Sequence, residues 1–293
     1  MNLLHDIDWV LPWRSPGLTQ AAFAVSWLGY ATFIMFFTAV GYWVWNKEMF
    51  FRVMLLVTFS AVCNAFLKDL LQSPRPPLAL RLDDLVGESY GMPSGHAQMA
   101  VTIWFWLAYE IRRPWAWLLA STVVVGVCLS RIYLGAHDAA DVLGGVMLGA
   151  ATLFLFAQIK DRHWFWQTRL IWSLTFVLLV TAATLASWPN MAKPPNYVLM
   201  LAGWIVGGLL GLRYENLALG FSAPTSWWRQ IIAALVGILA FILLQKALKI
   251  TGAALNPPAQ AWEASKGLII SLFIAIAVPW LLARLRLVPS RRP

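Results

Sequence analysis

Tyr90-Gly91-Met92-Pro93-Ser94-Gly95-His96-Ala97 carries the chain from a polar loop into an apolar run, Met99 to Ala108, long enough to enter a membrane. Pro93 disfavours helix in the residue before it, and Ser94 can cap a helix that starts after it. Gly95 has no side chain to bar a ligand from the new helix end. A helix N-terminus presents free N–H groups and partial positive charge, so it suits an anion such as phosphate. His96 stands one residue inside that site. Taken alone, the stretch is equally well a capped helix with an incidental histidine; the segments on either side decide.

The chain has 293 residues, 60% hydrophobic and only 12% charged. A soluble domain carries about twice that charged fraction. Several apolar runs approach or exceed the roughly 18 to 20 residues that span a bilayer as helix. With no barrel-like alternation, the expected class is an all-α polytopic membrane protein. The 18 Trp fit interfacial belts. A net charge of +9 raises nucleic acid as a partner, but basic residues collect in the cytoplasmic loops of membrane proteins, so no nucleic acid is expected. Cys63 and Cys128 lie inside apolar runs and read as packing residues. Residues 1–20 lack a basic region ahead of an apolar core, so no cleavable signal is expected. Trp9, Leu11 and Trp13 mark them as an interfacial segment.

About nine transmembrane helices are expected: Ala21 to Trp45, Phe50 to Leu71, Gly95 to just before Arg112, Trp115 to Leu129, Asp138 to Gln158, Leu170 to Trp188, Asn196 to Leu212, Ile231 to Leu248, and Gly267 to Leu287. Pro279 should kink the last without ending it. The polar stretch Lys160-Asp161-Arg162-His163 and the turn Pro189 to Pro195 separate spans. Of the 22 Lys and Arg, more fall on the odd-numbered, inner connections (Lys47, Arg52, Arg112, Arg113, Lys160, Arg162) and the C-terminal segment (Arg284, Arg286) if the N-terminus is outside. The expected orientation is therefore N-terminus out and C-terminus cytoplasmic.

That orientation gathers chemistry-bearing residues at the outer face. Lys68 lies near the end of the second span, with Arg75 and Pro76 after it. Ser130 and Arg131 end the fourth span. His137 and Asp141 begin the fifth, at a spacing that puts both on one helix face. A carboxylate beside an imidazole fixes its tautomer and favours its protonated form. A charged residue about a turn deep, as Asp141 would be, reads as functional. Asn64, one turn before Lys68, either orients its ammonium or simply packs. Tyr133 either borders the site or, the favoured reading, is an interfacial aromatic. Asp83, Asp84 and Glu88 belong either to a lid or, the favoured reading, to a solvated loop, and His5 and His163 read as surface residues. Gly144, Gly145 and Gly149 read as sites of close helix packing.

Together these residues read Lys68-x6-Arg75-Pro76, Pro93-Ser94-Gly95-His96 and Ser130-Arg131-x5-His137-x3-Asp141. The three segments resemble the signature of the type-2 phosphatidic acid phosphatase superfamily, position by position, over about a quarter of the chain. The resemblance implies a hydrolase acting on phosphate esters. It makes His137 the nucleophile that forms a phosphohistidine, Asp141 the group holding its ring, and His96 the acid and then base. It makes Lys68, Arg75 and Arg131, with the Ser94 hydroxyl and the Gly95 N–H, the phosphate-binding set. Three cations already neutralise a phosphate, so no metal and no other cofactor is expected. The positive end of a helix works against a protonated His96, and a bound phosphate dianion offsets that.

The implied organisation is an N-terminal interfacial segment (1–20), a six-helix phosphatase core (21–190) and a three-helix extension (191–293) without a recognisable catalytic group. The expected substrate is a lipid phosphate or polyprenyl diphosphate, met at the outer, periplasmic face of a bacterial inner membrane. The motif does not separate this from a soluble sugar phosphate, or from phosphoryl transfer to a lipid hydroxyl. A phosphate-binding transporter needs cations and N–H groups but not two histidines, so the pair favours an enzyme.

Overall fold

The computed structural model describes residues 4–84, 89–160, 170–189 and 197–291, and among these every regular element is helical. Three short stretches, Asp8–Trp13, Trp27–Gly29 and Leu78–Leu80, are 3-10 helices. The α-helices are α1 (Pro16–Ser26), α2 (Ala31–Val44), α3 (Lys47–Leu71), α4 (Gly95–Ile111), α5 (Pro114–Tyr133), α6 (Ala139–Lys160), α7 (Leu170–Ala186), α8 (Tyr197–Tyr214), α9 (Trp227–Leu255), α10 (Ala259–Leu272) and α11 (Val278–Arg284). The expected spans are helical, but the first is broken into α1 and α2 and the last passes through a π turn between α10 and α11. By length and apolarity six of them can cross a membrane, or seven if α1 and α2, bent by 56°, count as one span. Two helices fall short. α4 has 17 residues because Arg112 turns left-handed (φ 56°) ahead of Pro114, and α7 has 17. The expected polar stretch at Asp161, Arg162 and His163, Glu88, and the turn from Asn190 to Pro195 lie outside the described residues.

The chain divides into two compact units. The first is Met1–Met35 with Leu56–Asp161, the second Phe36–Leu55 with Arg162–Pro293. In the first, α4 packs on both α5 and α6, and α1 packs on α5. Its core joins Ile7 and Val10 of the N-terminal segment to Ala97, Ile132 and Val142, beside a layer of Ala100, Val101, Val124 and Val127. The expected glycines set the α4–α6 distance: a Cβ on Gly145 would lie 2.4 Å from the Ser94 carbonyl, and one on Gly149 2.8 Å from Val101. Buried polar groups bind the same helices. Gln98 donates from Nε2 to the Ser60 carbonyl (3.0 Å) and hydroxyl (2.6 Å), with Thr102 and Thr152 adjoining.

The second unit is built on a stripe of small residues that the sequence reading does not single out. Gly203, Gly207 and Gly211 on α8 face Ala264, Leu268, Ser271 and Ala275, and Gly267 of α10 faces Met200. Small residues let helix backbones approach closely where no water drives them together. A π turn, Phe273–Ala277, precedes Pro279, so α10 continues into α11 as the sequence predicts. Lys47 and the fully buried Glu215 form an ion pair at 2.7 Å in this unit, and Glu215 also accepts from the Phe221 N–H.

This packing leaves no room at Gly267, where a Cβ would stand 1.9 Å from the Met200 carbonyl, whereas Gly17 of α1 has open space. Gly267→Ala is expected to cost about 1–3 kcal/mol, because overpacking forces helices apart. Gly17→Ala should be neutral or slightly stabilising. Thermal unfolding in detergent compares them; equal melting temperatures would refute the tight α8–α10 contact.

Candidate active site

Four helix ends meet in the first unit. α3 and α5 arrive with their C-termini, α4 and α6 start with their N-termini, and two loops lie between. Lys68 sits on the last turn of α3, buried, and does not snorkel. Its ammonium donates to the Tyr90 carbonyl and to the Gly91 carbonyl (2.8 Å). Asn64 does not orient Lys68; its amide donates to the Pro93 carbonyl at 3.1 Å. The loop ahead of α4 is therefore hung from two side chains of α3. The Ser94 N–H donates to the Asp141 carbonyl at 2.9 Å, which joins the start of α4 to the start of α6. Ser94 occupies the N-cap position, but its hydroxyl caps nothing. It is fully buried and unpartnered. The expected capping bond is absent, and the hydroxyl is left available to a ligand. The first N–H groups of α4 have no carbonyl four residues back to bond.

His137 lies in the turn between α5 and α6. Its Nδ1 meets Asp141 Oδ2 at 2.9 Å, and its Nε2 meets Arg75 Nη1 at 3.0 Å. A guanidinium has only donors, so Nε2 must accept, and the ring proton sits on Nδ1 and goes to Asp141. The lone pair of Nε2 thus points at the cation. Burial first, then the charges of Arg75, Lys68 and Arg131, hold the His137 pKa well below its usual value. The resting imidazole is neutral. This corrects the expectation that Asp141 favours its protonated form: burial and the three cations outweigh one carboxylate. Asp138 Oδ1 accepts the Asp141 N–H at 2.8 Å and starts α6. Arg75 also donates to the Ala136 carbonyl (2.8 Å) and to the Ser89 carbonyl (2.5 Å) and hydroxyl (2.9 Å), so it clamps both loops.

Arg131 is completely buried and pairs with Asp83 at 2.8 Å. Sequence reasoning places Asp83 in a solvated loop; the structure buries it to 2% exposure. Its neighbour Asp84 is exposed as expected. His96 rests on the elbow between α1 and α2. Its ring meets Tyr30 edge-on, centroids 4.5 Å apart. Among the eight expected site residues, Arg75 meets His137 and His137 meets Asp141, the Ser94 backbone bonds Asp141, His96 and Arg131 share the Tyr30 ring, and Lys68 holds the loop that leads into Ser94 and Gly95. Among the described residues no group of three or more His, Cys, Asp or Glu is placed to hold a metal. Four buried atoms in this region lack a hydrogen-bond partner: Ser94 Oγ, His96 Nε2, Arg131 Nε and Asp141 Oδ1. Each such atom costs about 1–3 kcal/mol in an apolar interior. Three of them lie on the expected phosphate binders and the expected acid, and a phosphoryl group presents the oxygens they lack.

The N-terminal segment braces the site from behind. Arg14 donates to the Leu80 and Tyr133 carbonyls, and the Leu4 carbonyl accepts from the Ala140 N–H. The Tyr133 hydroxyl meets Ser15 and Thr19, so it anchors α1. Trp9 and Trp13 remain exposed. Ser26, Tyr30, Asp83 and Asp138 are the residues sequence reasoning missed. An acidic run between two motifs carries no mark of which carboxylate turns inward, and Ser26 lies 105 residues from Arg131.

The profile of the PAP2 superfamily matches residues 49–165, and that of the PAP2 superfamily phosphatase transmembrane extension matches residues 199–292. The chain is similar to phosphatidylglycerophosphatase B of Bacillus subtilis, 30% identical over 51% of this chain and 78% of the relative. It is also similar to mouse (Mus musculus) sphingosine-1-phosphate phosphatase 2, 33% identical over 44% of this chain but only 38% of that protein's length. The solved transmembrane phosphatidylglycerolphosphate phosphatase of Bacillus subtilis covers 53% of this chain and 83% of its own, with 26% identity and a TM-score of 0.46. The chain belongs to the PAP2 superfamily.

His5 is half exposed and bonds Asp138 at 2.7 Å, so it is a surface residue with an anchor. The bond to Asp138 and that carboxylate's charge raise the His5 pKa above 6.5. Its stabilisation is therefore full below about pH 6.5 and lost as pH rises through the folded value. His5→Ala should lower the melting temperature more at about pH 5.5 than at about pH 8. An equal loss at both would show that the bond carries no charge.

Proposed function

We propose that the protein is an integral membrane phosphatase that hydrolyses a lipid phosphate or polyprenyl diphosphate through a phosphohistidine on His137. The observation that carries this reading is the His137 geometry: Nδ1 held by Asp141, and the Nε2 lone pair held at the Arg75 guanidinium. A neutral imidazole with its far nitrogen presented to a cation is poised for a phosphoryl group that brings its own negative charge. The substrate's phosphate draws Arg75 from Nε2 onto a phosphoryl oxygen. Nε2 then attacks phosphorus, the bond to the leaving oxygen breaks, and His96 gives that oxygen its proton. Water, deprotonated by His96, displaces His137 and frees inorganic phosphate. Lys68, Arg75, Arg131, the Ser94 hydroxyl and the first N–H groups of α4, Gly95 among them, neutralise the charge that develops. These groups perform the task of a metal, and the reaction runs without one.

The names of the two relatives, a phosphatidylglycerophosphatase and a sphingosine-1-phosphate phosphatase, favour a lipid monoester among the substrates the motif allows. Such a substrate reaches the site from the bilayer with its head group at the cations. In this reading all nine apolar helices lie across a bacterial inner membrane, with residues 21–190 as the catalytic core and 191–293 as its extension. The site faces the periplasm.

Purified protein in detergent should release inorganic phosphate from phosphatidylglycerol phosphate in the presence of EDTA. His137→Ala should abolish release and the acid-labile phosphoenzyme; His96→Ala should slow turnover roughly 10²–10⁴-fold. Full activity of either variant, or a wide preference for glucose 6-phosphate, would sink the assignment. In a background with Cys63 and Cys128 replaced by Ala, an impermeant maleimide should label Asp84→Cys in intact cells, and Arg113→Cys only after permeabilisation. The reverse pattern would invert the orientation.

A further inference from the structure

Arg131 ends α5 in a fully buried position, where a guanidinium without a counter-charge is costly. The counter-charge comes from Asp83, which belongs to none of the three signature segments. Arg131 Nη1 donates to Asp83 Oδ2 at 2.8 Å and to the Ser26 hydroxyl at 2.5 Å. The Tyr30 hydroxyl donates to the same carboxylate oxygen at 2.5 Å. One face of Tyr30 carries the Arg131 guanidinium, its carbon 5.9 Å from the ring centroid. The ring also meets His96, perpendicular to it at 4.5 Å. Next in the chain, Gly29 makes room for His96, since a Cβ there would stand 2.8 Å from its Cδ2. Ser26, Gly29 and Tyr30 all precede the family match, which begins at residue 49.

A guanidinium offers five N–H donors in a rigid planar fork, so fixing one nitrogen fixes the direction of all. Asp83 and Ser26 occupy Nη1, and Nε remains buried without a partner. A buried ion pair of this kind adds little to stability compared with apolar side chains of the same volume. What it does supply is direction.

We infer that Asp83 and Tyr30 are positioning residues: Asp83 holds one end of Arg131 so that the edge carrying Nε faces the phosphoryl oxygens, and Tyr30 ties that orientation to the ring of His96. The phosphate-binding cation and the proton donor are thereby set by one seat at the α1–α2 elbow. This rests on the phosphatase reading above. A misdirected Arg131 loses the charge it contributes to the transition state, and a displacement of about 1 Å costs on the order of 10²-fold in rate.

The test uses the full chain in detergent, with phosphatidylglycerol phosphate as substrate and orthovanadate as the phosphate mimic. Asp83→Asn should lower kcat/KM by about 10- to 100-fold and weaken vanadate binding, read as a smaller rise in melting temperature. Tyr30→Phe keeps the ring and removes the bond to Asp83; it should lower kcat several-fold with little change in melting temperature. In an Arg131→Ala background neither substitution should change kcat/KM by more than about twofold, because residues acting through one group are not additive. Unchanged kcat/KM in both single variants, or a loss that multiplies fully onto that of Arg131→Ala, overturns the inference. If Asp83→Asn does not fold, Tyr30→Phe decides alone, and wild-type turnover in it overturns the inference. If the wild-type protein releases no phosphate, the phosphatase reading fails, and vanadate binding still tests the seat: equal shifts for wild type and Tyr30→Phe overturn it.

Discussion

The hydrogen bond from the Ser94 N–H to the Asp141 carbonyl, 2.9 Å long, is the contact on which the site depends. It joins the first turn of α4 to the first turn of α6 and so brings together segments nearly fifty residues apart. Two glycines permit it. A Cβ on Gly145 would strike the Ser94 carbonyl, and one on Gly91 would come within 2.6 Å of the Asp141 carboxylate. Once the two N-termini are adjacent, their partial positive charges add at one place. The C-termini of α3 and α5 arrive there with Lys68 and Arg131, the charge sign that suits a helix C-terminus. An anion site follows from antiparallel helices meeting at their ends.

The cations also build the loops they work from. Lys68 donates to the carbonyls of Tyr90 and Gly91, and Arg75 to those of Ser89 and Ala136. Those carbonyls lie in connections without regular structure, where backbone acceptors need partners from elsewhere. The same side chains thus hold the loop ahead of α4 and the turn carrying His137. Four of the buried atoms without a hydrogen-bond partner lie on expected site residues: Ser94 Oγ, His96 Nε2, Arg131 Nε and Asp141 Oδ1. A native interior rarely leaves buried polar atoms unpaired, and where they cluster the deficit marks a site that gives up stability for function.

The second unit follows a different rule. Its helices approach through glycine, alanine and serine, and the buried ion pair of Lys47 with Glu215 is closed by the Phe221 backbone on both sides. The Lys47–Glu215 pair and its backbone partners match one another, while the Tyr42 hydroxyl and Trp204 Nε1 of the same unit are buried without a partner.

Much of this was legible from sequence. Apolar runs and their prolines marked the helices, because helix periodicity and backbone restriction are local properties, and the family resemblance named Lys68, Arg75, Ser94, Gly95, His96, Arg131, His137 and Asp141 as the candidate site. Span number was not so fixed, since α4, α7 and the α1–α2 bend sit at the margin of membrane-spanning length. Direction was not legible either. The protonation of His137 depends on burial and on cations gathered from three segments. Whether Asp83 or Asp84 turns inward depends on where Arg131 and Tyr30 stand. A sequence states which charges exist; only the folded chain sets the distances and the dielectric through which they act, and those decide which carboxylate pairs, which imidazole stays neutral and which donors remain free.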